Sequence, residues 1–518
     1  MPLPLRHRLR STAWMADGIG LLSVFAMTAA AYQPVFSAGF IWDDNSYVTH
    51  NAFLSTLDGL RRIWLQPTVS PQYYPLTFTT FWLEYQAWGL WPVGYHVVNV
   101  LLHALNAVLA WRVFRQLKIP GAWWAAAVFA LHPVHVESVA WITERKNLLS
   151  GLGFLVACWS YLRFDERRHA PTASPVRAWR DYALALLSFA AALLSKTIVC
   201  TLPAVLALML WWRRRRLSRR DLLPLLPFLL LGAAMAVLTA RLEAVRVGAS
   251  GAAWNFSAVE RALIASHAVW FYLGKLCWPA PLMTVYPRWT VDPTEAGSWG
   301  FLVAALVAVV GVWRLRSRWG PGPLLTVLAF VAMLSPISGA VNFYFMLFSF
   351  AADHFQYLAS LAVIAAAVGG VATWAGRLGR AVKGVVPLAG ALLIIGLGVR
   401  TWQQGQLYRS SDILWRDALR KNPAAWVAHH ELGVSLLFQN RLEEAEAECR
   451  TTLAMKPDYS QAYNNLGNVL TAEGKFDAAI AAYTKALGLR ADFMVAYRNL
   501  HRALRLQPRQ PPGPAPRP

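Results

Sequence analysis

Two adjacent carboxylates, Asp43 and Asp44, sit in the string FIWDDNSYVTHN just past an apolar run. A carboxylate there can take a proton from a hydroxyl, and general-base help of this kind contributes roughly 10²–10⁴ in rate. Neighbouring side chains in extended chain point to opposite sides. The two acids therefore cannot serve one reacting atom: one would act as base, while the other would hold the loop or bind substrate. The alternative is an ordinary acidic loop or helix start. A second group follows in ALHPVHVESVAWITERKN, with His132, His135, Glu137, Glu144, Arg145 and Lys146. Its histidines lack the HExxH spacing and a third ligand, so no metal is expected. Arg145 and Lys146, with Lys196 in LLSKTIV, place cations on the side where the other loops have few. An anionic headgroup or phosphate would account for them, and salt bridges to Glu144 or Asp43 are the alternative. Asp353 and His354, in ADHFQYLAS, come from another loop on the same side.

The segment VGYHVVNVLLHALNAVLAW carries His96, Asn99, His103 and Asn106 at helical steps of three and four, hence on one face. Polar groups are costly against lipid, so this stripe should line a wet cavity in the bundle interior or hydrogen-bond one helix to another.

These residues sit among apolar runs. Charged residues are only 15% of the 518 and AVILMFWYC reaches 56%, which excludes a disordered chain and argues against an ordinary soluble enzyme. Lys+Arg 49 against Asp+Glu 27 gives +22. Much of that charge lies in short clusters between apolar runs, which is the pattern of a polytopic membrane protein and not of a nucleic-acid partner. Runs able to cross about 30 Å of hydrocarbon fall near 17–36, 93–113, 122–141, 147–163, 180–195, 197–212, 222–240, 299–315, 322–340, 357–376 and 384–402, about eleven spans. With the N-terminus cytoplasmic because of Arg6, Arg8 and Arg10, the clusters around Arg115, Arg167, WWRRRRLSRR, Arg316 and Arg380 all fall on the same side. Loops 37–92, 241–298 and 341–356, and everything after about 403, then lie outside. The basic and apolar N-terminus reads as an uncleaved first helix, not a signal peptide. The stretch 262–282 carries Lys275 and prolines and reads as re-entrant or surface-lying. YYPLTFTTFWLEYQAWGLWP reads as an interfacial amphipathic helix. Cys158, Cys200, Cys277 and Cys449 show no CxxC spacing and read as buried thiols.

After residue 403 a repeat appears at a spacing of 34 residues. Leu419, Leu453 and Leu487 align, as do Gly433 with Gly467, and Trp415, Cys449 and Tyr483. The unit QAYNNLGNVLTAEGKFDAAIAAYTKALGLRAD follows the tetratricopeptide pattern, so residues 403–507 should form a short helical solenoid. Tyr463, Asn464, Asn465, Asn468, Tyr497 and Asn499 are its candidate peptide-binding residues. The Pro-rich tail 508–518 cannot bury a core and reads as disordered. The chain is thus expected to be all-α, with a membrane helical bundle over 1–402 followed by the solenoid.

Three strings together, WDDNSYVTHN, YYPLTFTTFWLEYQAWGLWPVGYHVVNVLLHALNA and FALHPVHVESVAWITERKNLLSGLGFL, resemble the GT-C class membrane glycosyltransferases that carry C-terminal tetratricopeptide repeats, the group of the transmembrane O-mannosyltransferases and their bacterial relatives. ADHFQYLAS and the repeats extend the resemblance, while 165–340 matches by hydropathy only. The resemblance implies a polyprenyl- or dolichyl-phosphate sugar as donor and transfer, with inversion and without a metal or other cofactor, to an acceptor outside the cytoplasm. It maps the catalytic acids to Asp43 and Asp44. Tyr74 stands before Pro75-Leu76 where eukaryotic members often have arginine, and His354 also replaces a frequent arginine. Both departures suggest a bacterial inner-membrane branch whose sugar need not be mannose. On this reading Arg145, Lys146 and Lys196 meet the donor phosphate, while His96, Asn99, His103, His132, His135, Glu137, Glu144, Asp353 and His354 line the cavity. The repeats would bind a protein acceptor through its Ser or Thr. The competing reading is a non-catalytic membrane scaffold whose repeats assist assembly of exported proteins. A transporter would show duplicated halves with interrupted helices, and none is evident.

Overall fold

The computed structural model describes residues 3–70, 72–172, 174–249, 251, 254–339, 341–377 and 380–507. The tail 508–518, read as disordered, lies outside the described residues. Among them the chain is helical throughout, with no strand. It divides into two compact units, 1–284 with 288–409, and 285–287 with 410–518.

In the first unit five helical stretches are long and apolar enough to cross a membrane: Pro92–Gln116, Thr197–Arg214, Arg219–Val245, Ala296–Trp319 and Gly384–Gln406. Shorter apolar helices occupy Asp17–Ala31, Ala122–Leu131, Gly322–Ile337 and Ser360–Gly376. The expected span near 122–141 is not one continuous helix. It stops at Leu131 and gives way to short turns, Pro133–His135, Val136–Ala140 and Ile142–Glu144, before the Arg145–His169 helix begins. Pro133 is the reason: it lacks an N–H and disfavours helical backbone at the residue before it. The helix end is capped from elsewhere, the Thr401 hydroxyl donating to Leu131 O at 2.7 Å and His135 Nδ1 lying 2.8 Å from Phe129 O. Val134, Val136, Val139 and Ile142 are all buried, so the turns run through protein, where irregular backbone is tolerated.

The first loop holds two helices, Leu57–Leu65 and Pro75–Trp88. The second corrects the interfacial amphipathic expectation. Phe78 and Phe81 are buried in a cluster with Tyr47, Tyr95 and Ile142, Glu84 is buried, and Leu83 is exposed. The helix is therefore a wall of the core, with no clean polar face. The helix Ala258–Cys277, from the stretch read as re-entrant, carries Glu260, Arg261 and Lys275. Its buried Tyr272 accepts from Ala352 N at 3.3 Å.

In the second unit the helices Trp426–Phe438, Ser460–Ala472 and Met494–Leu506 alternate with Leu442–Met455 and Phe476–Leu489, each set recurring at the repeat spacing. Gly467 shows why the spacing is kept. A Cβ there would lie 2.5 Å from the Tyr483 ring, so the paired helices approach only over a bare Cα.

Candidate functional site

The WDD turn separates the two acids. Trp42 holds φ 48, a left-handed backbone uncommon for a side-chain-bearing residue, and its indole stacks on Trp141 at 4.6 Å. Asp44 is thereby turned inward, fully buried. Its Oδ2 accepts from Ile41 N at 2.9 Å, and its Oδ1 from Thr143 N and Oγ1 at 2.8 and 2.6 Å. Burial pushes its acid up to about 7, opposed by those three bonds and reinforced by Asp43. Asp44 pins the turn to the Ile142–Glu144 segment. Asp43 is half-buried. Its backbone carbonyl accepts from Ser46 N at 3.0 Å, and among the described residues no donor bonds its carboxylate. Burial raises its acid from 3.8, while Lys146 and His354 pull it down and Glu144 pushes it up.

Glu144 is the hub of the group beside Asp43. Lys146 Nζ lies 2.9 Å from its Oε1, Lys196 Nζ 3.1 Å from its Oε2, and Asn147 Nδ2 donates to Oε2 at 2.6 Å. His354 Nε2 stands 3.8 Å from Oε1. On its other side, His354 Nδ1 is 3.0 Å from Glu137 Oε2, at ion-pair distance without hydrogen-bond alignment, and His354 N donates to that oxygen at 2.8 Å. Burial alone would raise Glu144, but His354, Lys146 and Lys196 together hold it well below the usual carboxylate range. Burial, the largest single influence on Lys146, would lower it, but Glu144, Tyr47, Asp43 and Tyr74 together hold it above its ordinary value. Lys196 goes the other way: burial brings it down to about 8 although Glu144 supports its charge. Lys146 Nζ also sits over the Tyr47 ring at 5.1 Å and near Trp141 at 5.8 Å, which gives the ammonium an aromatic frame. The salt bridges to Glu144 foreseen as an alternative are present.

Other expectations are corrected. Arg145 is fully buried and spent inside the protein. Its guanidinium donates to Asn99 Oδ1, to Glu84 Oε1 at 2.6 Å and to Tyr95 O at 2.8 Å. All three of its nitrogens are engaged by the protein and the side chain is fully buried, so Arg145 serves Glu84, Asn99 and Tyr95 rather than an open phosphate site. The polar stripe ties elements together. Asn99 Nδ2 donates to Val139 O at 3.1 Å, and His103 lies between Tyr357 Oη at 2.8 Å and Ala130 O at 3.0 Å. Asn106 donates to Leu148 O and Tyr357 Oη. His135 Nε2 is 3.0 Å from Ser360 Oγ and His132 Nε2 is 3.0 Å from Leu276 O. Asn99, His103, His132 and His135 are thus buried and hydrogen-bonded within the core, while His96 is buried with neither ring nitrogen hydrogen-bonded among the described residues. Asp353, also buried, lies on the Tyr272 side. Glu144 and His354 are the ones that act on Asp43, with Glu137 on the far side of His354.

In the second unit Asn499 Nδ2 donates to both Asn464 Oδ1 and Asn468 Oδ1 at 3.0 Å, and Tyr483 Oη donates to Asn468 Oδ1 at 2.9 Å. Asn464 Nδ2 donates to Asn465 at 3.2 Å. The asparagines form a ladder between successive helices. Tyr463 is half-buried against Phe493 and Ala496, and Tyr497 is exposed beside His501.

The sequence reading missed Glu84, Thr143, Asn147, Gln72 and Glu243. Gln72 joins Tyr47 Oη at 2.9 Å to Glu243 Oε1 at 2.7 Å, closing the side of the site opposite Glu144. Glu84, a single acid in an aromatic segment, was the one signal in sequence that a buried cation waits nearby.

Residues 397–459 and 430–493 match the tetratricopeptide repeat family. The Drosophila melanogaster protein O-mannosyl-transferase Tmtc1 is 33% identical over 208 residues, 38% of this chain and 23% of that protein. The human protein O-mannosyl-transferase TMTC3 is 32% identical over 185 residues, 34% of this chain and 20% of that protein. The chain is similar to the protein O-mannosyl-transferases. The match spans under a quarter of those relatives' length. Among solved structures, ArnT from Cupriavidus metallidurans bound to undecaprenyl phosphate aligns over 95% of this chain and 78% of its own, at 14% identity and a TM-score of 0.38. Five helices among the described residues that are long and apolar enough to cross a membrane mark the chain as an integral membrane protein.

Proposed function

We propose that the chain is a GT-C type membrane glycosyltransferase, moving one sugar from a polyprenyl-phosphate donor to a Ser or Thr hydroxyl of an extracytoplasmic protein, with the repeats binding that acceptor. Asp43 takes the hydroxyl proton as the acceptor oxygen attacks the anomeric carbon from the face opposite the phosphate. The C–O bond to phosphate breaks, inverting the centre, and the polyprenyl phosphate leaves with the electron pair. Lys146 and Lys196 stabilise that charge, helped by a site already dry, where fixed charges act strongly. Glu144 holds both ammonium groups in place, and Asp44 acts as a positioning residue through the turn. No metal takes part in these steps.

One observation carries this reading. Of two adjacent acids, one is consumed by three hydrogen bonds and the other keeps, among the described residues, an unbonded carboxylate under the influence of the Lys146 ammonium. The test is incubation of the purified chain with a panel of polyprenyl-phosphate sugars and a Ser/Thr peptide library, read by peptide mass. A mass gain of one hexose or similar unit, lost in Asp43→Asn, is expected. No gain with any donor from a folded protein would favour the scaffold.

A further inference from the structure

An almost wholly apolar cavity of about 650 Å³ runs along the Ser360–Gly376 helix from Leu361 to Arg377, and its mouth beside Trp212 and Arg377 lies at the end of the bundle away from Asp43. Its walls come from the last turn of Pro92–Gln116, from Phe154 and Leu155, from Val205 to Trp212, from Gly322 to Met333, and from the Ser360–Gly376 helix, where Ala366 and Gly370 recess the surface. The mouth lies at the helix ends that carry the basic clusters. Lys196 precedes the Leu202–Arg214 helix while Trp212 closes it, so the cavity mouth stands roughly 24 Å along the chain axis from the acid site.

One cation lines that mouth and a second stacks on a residue of its wall. Arg377 lines it directly. Trp212 is fixed there by its indole N–H, which donates to Leu117 O at 3.0 Å, and the guanidinium of Arg215 lies over its ring at 5.0 Å. Arg215 reaches this place with φ 62, a left-handed backbone. Stacking on an aromatic face leaves the guanidinium edge free to donate to phosphate oxygens.

From this we infer that the cavity binds an anionic glycerophospholipid, its acyl chains against Phe114 and Ala366 and its phosphate between Arg215 and Arg377. A zwitterionic lipid would fill the same apolar walls but its own ammonium would oppose the two guanidiniums. The donor phosphate of the proposed reaction belongs at the opposite end, but Phe154 and Met333 line both this cavity and the small one beside Asn147 and His354, so competition with a polyprenyl phosphate is an arm of the test.

The test uses the full chain in nanodiscs of equal parts phosphatidylglycerol and phosphatidylcholine, returned to mild detergent and weighed by native mass spectrometry. Wild type should retain phosphatidylglycerol over phosphatidylcholine by about tenfold, the yield of one or two charge-assisted hydrogen bonds. The double variant Arg215→Gln with Arg377→Gln should bring that ratio near one with an unchanged circular dichroism melt. Ala366→Trp should lose both lipids. Equal retention by wild type, an unchanged ratio in the double variant, or displacement of phosphatidylglycerol by added undecaprenyl phosphate would overturn the proposal, the last by giving the cavity to the donor.

Discussion

The Arg145–His169 helix has a charge cluster at each end, and the two are built differently. At its start Glu144, Lys146, Lys196 and His354 are all under a tenth exposed. At its end Asp165, Asp181 and Asp221 meet Arg163, Arg167, Arg168, Arg213 and Arg214, whose side chains are 21–32% exposed. The aspartates of the second cluster are buried too, but water and salt reach its arginines, so its pairs are weaker than those of a fully dry cluster. The first has given up its hydration, and each charge depends on its partners, because a buried ion left alone is costly. That difference suits the first cluster to chemistry and the second to the membrane surface.

The comparison can be broken most forcefully at its hub. Glu144→Gln leaves two buried ammonium groups without their counter-charge and should cost roughly 3–5 kcal/mol, read as a large fall in the denaturation midpoint in mild detergent. A change below 1 kcal/mol, about what an exposed pair gives, would mean that this cluster is no drier than the other. Arg145→Lys comes next. It keeps the charge beside Glu84 but loses the planar fork that also serves Asn99 and Tyr95 O, so about 1–3 kcal/mol should go with the unmade bonds. Full stability in this variant would contradict its assignment as a structural arginine.

The pH dependence sharpens the contrast without a change of fold. In the proposed mechanism the active state needs Asp43 ionised and Lys196 protonated. Burial moves the first up from 3.8 and the second down to about 8. Transfer should therefore rise with pH through a limb above the ordinary carboxylate range and fall again near pH 8. Lys196→Arg, which stays charged, should remove the falling limb alone; a falling limb that survives would assign it to another group. The smallest effect belongs to the opposite cluster. Glu166→Gln removes the Arg213 pair at 2.7 Å, half open to solvent, and should change stability by no more than about 0.5–1 kcal/mol, vanishing at high salt.

Much of this was legible in the sequence, and the parts that were not share a cause. Periodicity gave the repeat helices, because a 34-residue register repeats the same packing demand, with Gly467 under Tyr483 as its local signature. The spacing of Asn99, His103 and Asn106 announced one polar face, and the WDD string announced that its two acids must part. Which acid turns inward was not legible. It depends on the left-handed Trp42 and on Thr143, 99 residues further along. The same holds for Arg145 and Glu84, partners 61 residues apart. Read locally, a cation outside the usual charge bias suggested a ligand, and only the tertiary fold reveals that its ligand is the protein. Pro133 was visible, but its consequence, a span cut short to bring Glu137 and Glu144 inward, required knowing what Thr401 and His135 would satisfy.

The central claim is that neighbouring acids have divided the work, Asp43 reacting and Asp44 holding the turn. The direct measurement is sugar transfer and the thermal midpoint, side by side, for Asp43→Asn and Asp44→Asn. The account predicts that Asp43→Asn loses about 10²–10⁴ of the rate at an unchanged midpoint, while Asp44→Asn lowers the midpoint and retains transfer at temperatures where it is folded. Full transfer by Asp43→Asn, or loss by Asp44→Asn with no change in midpoint, would contradict it.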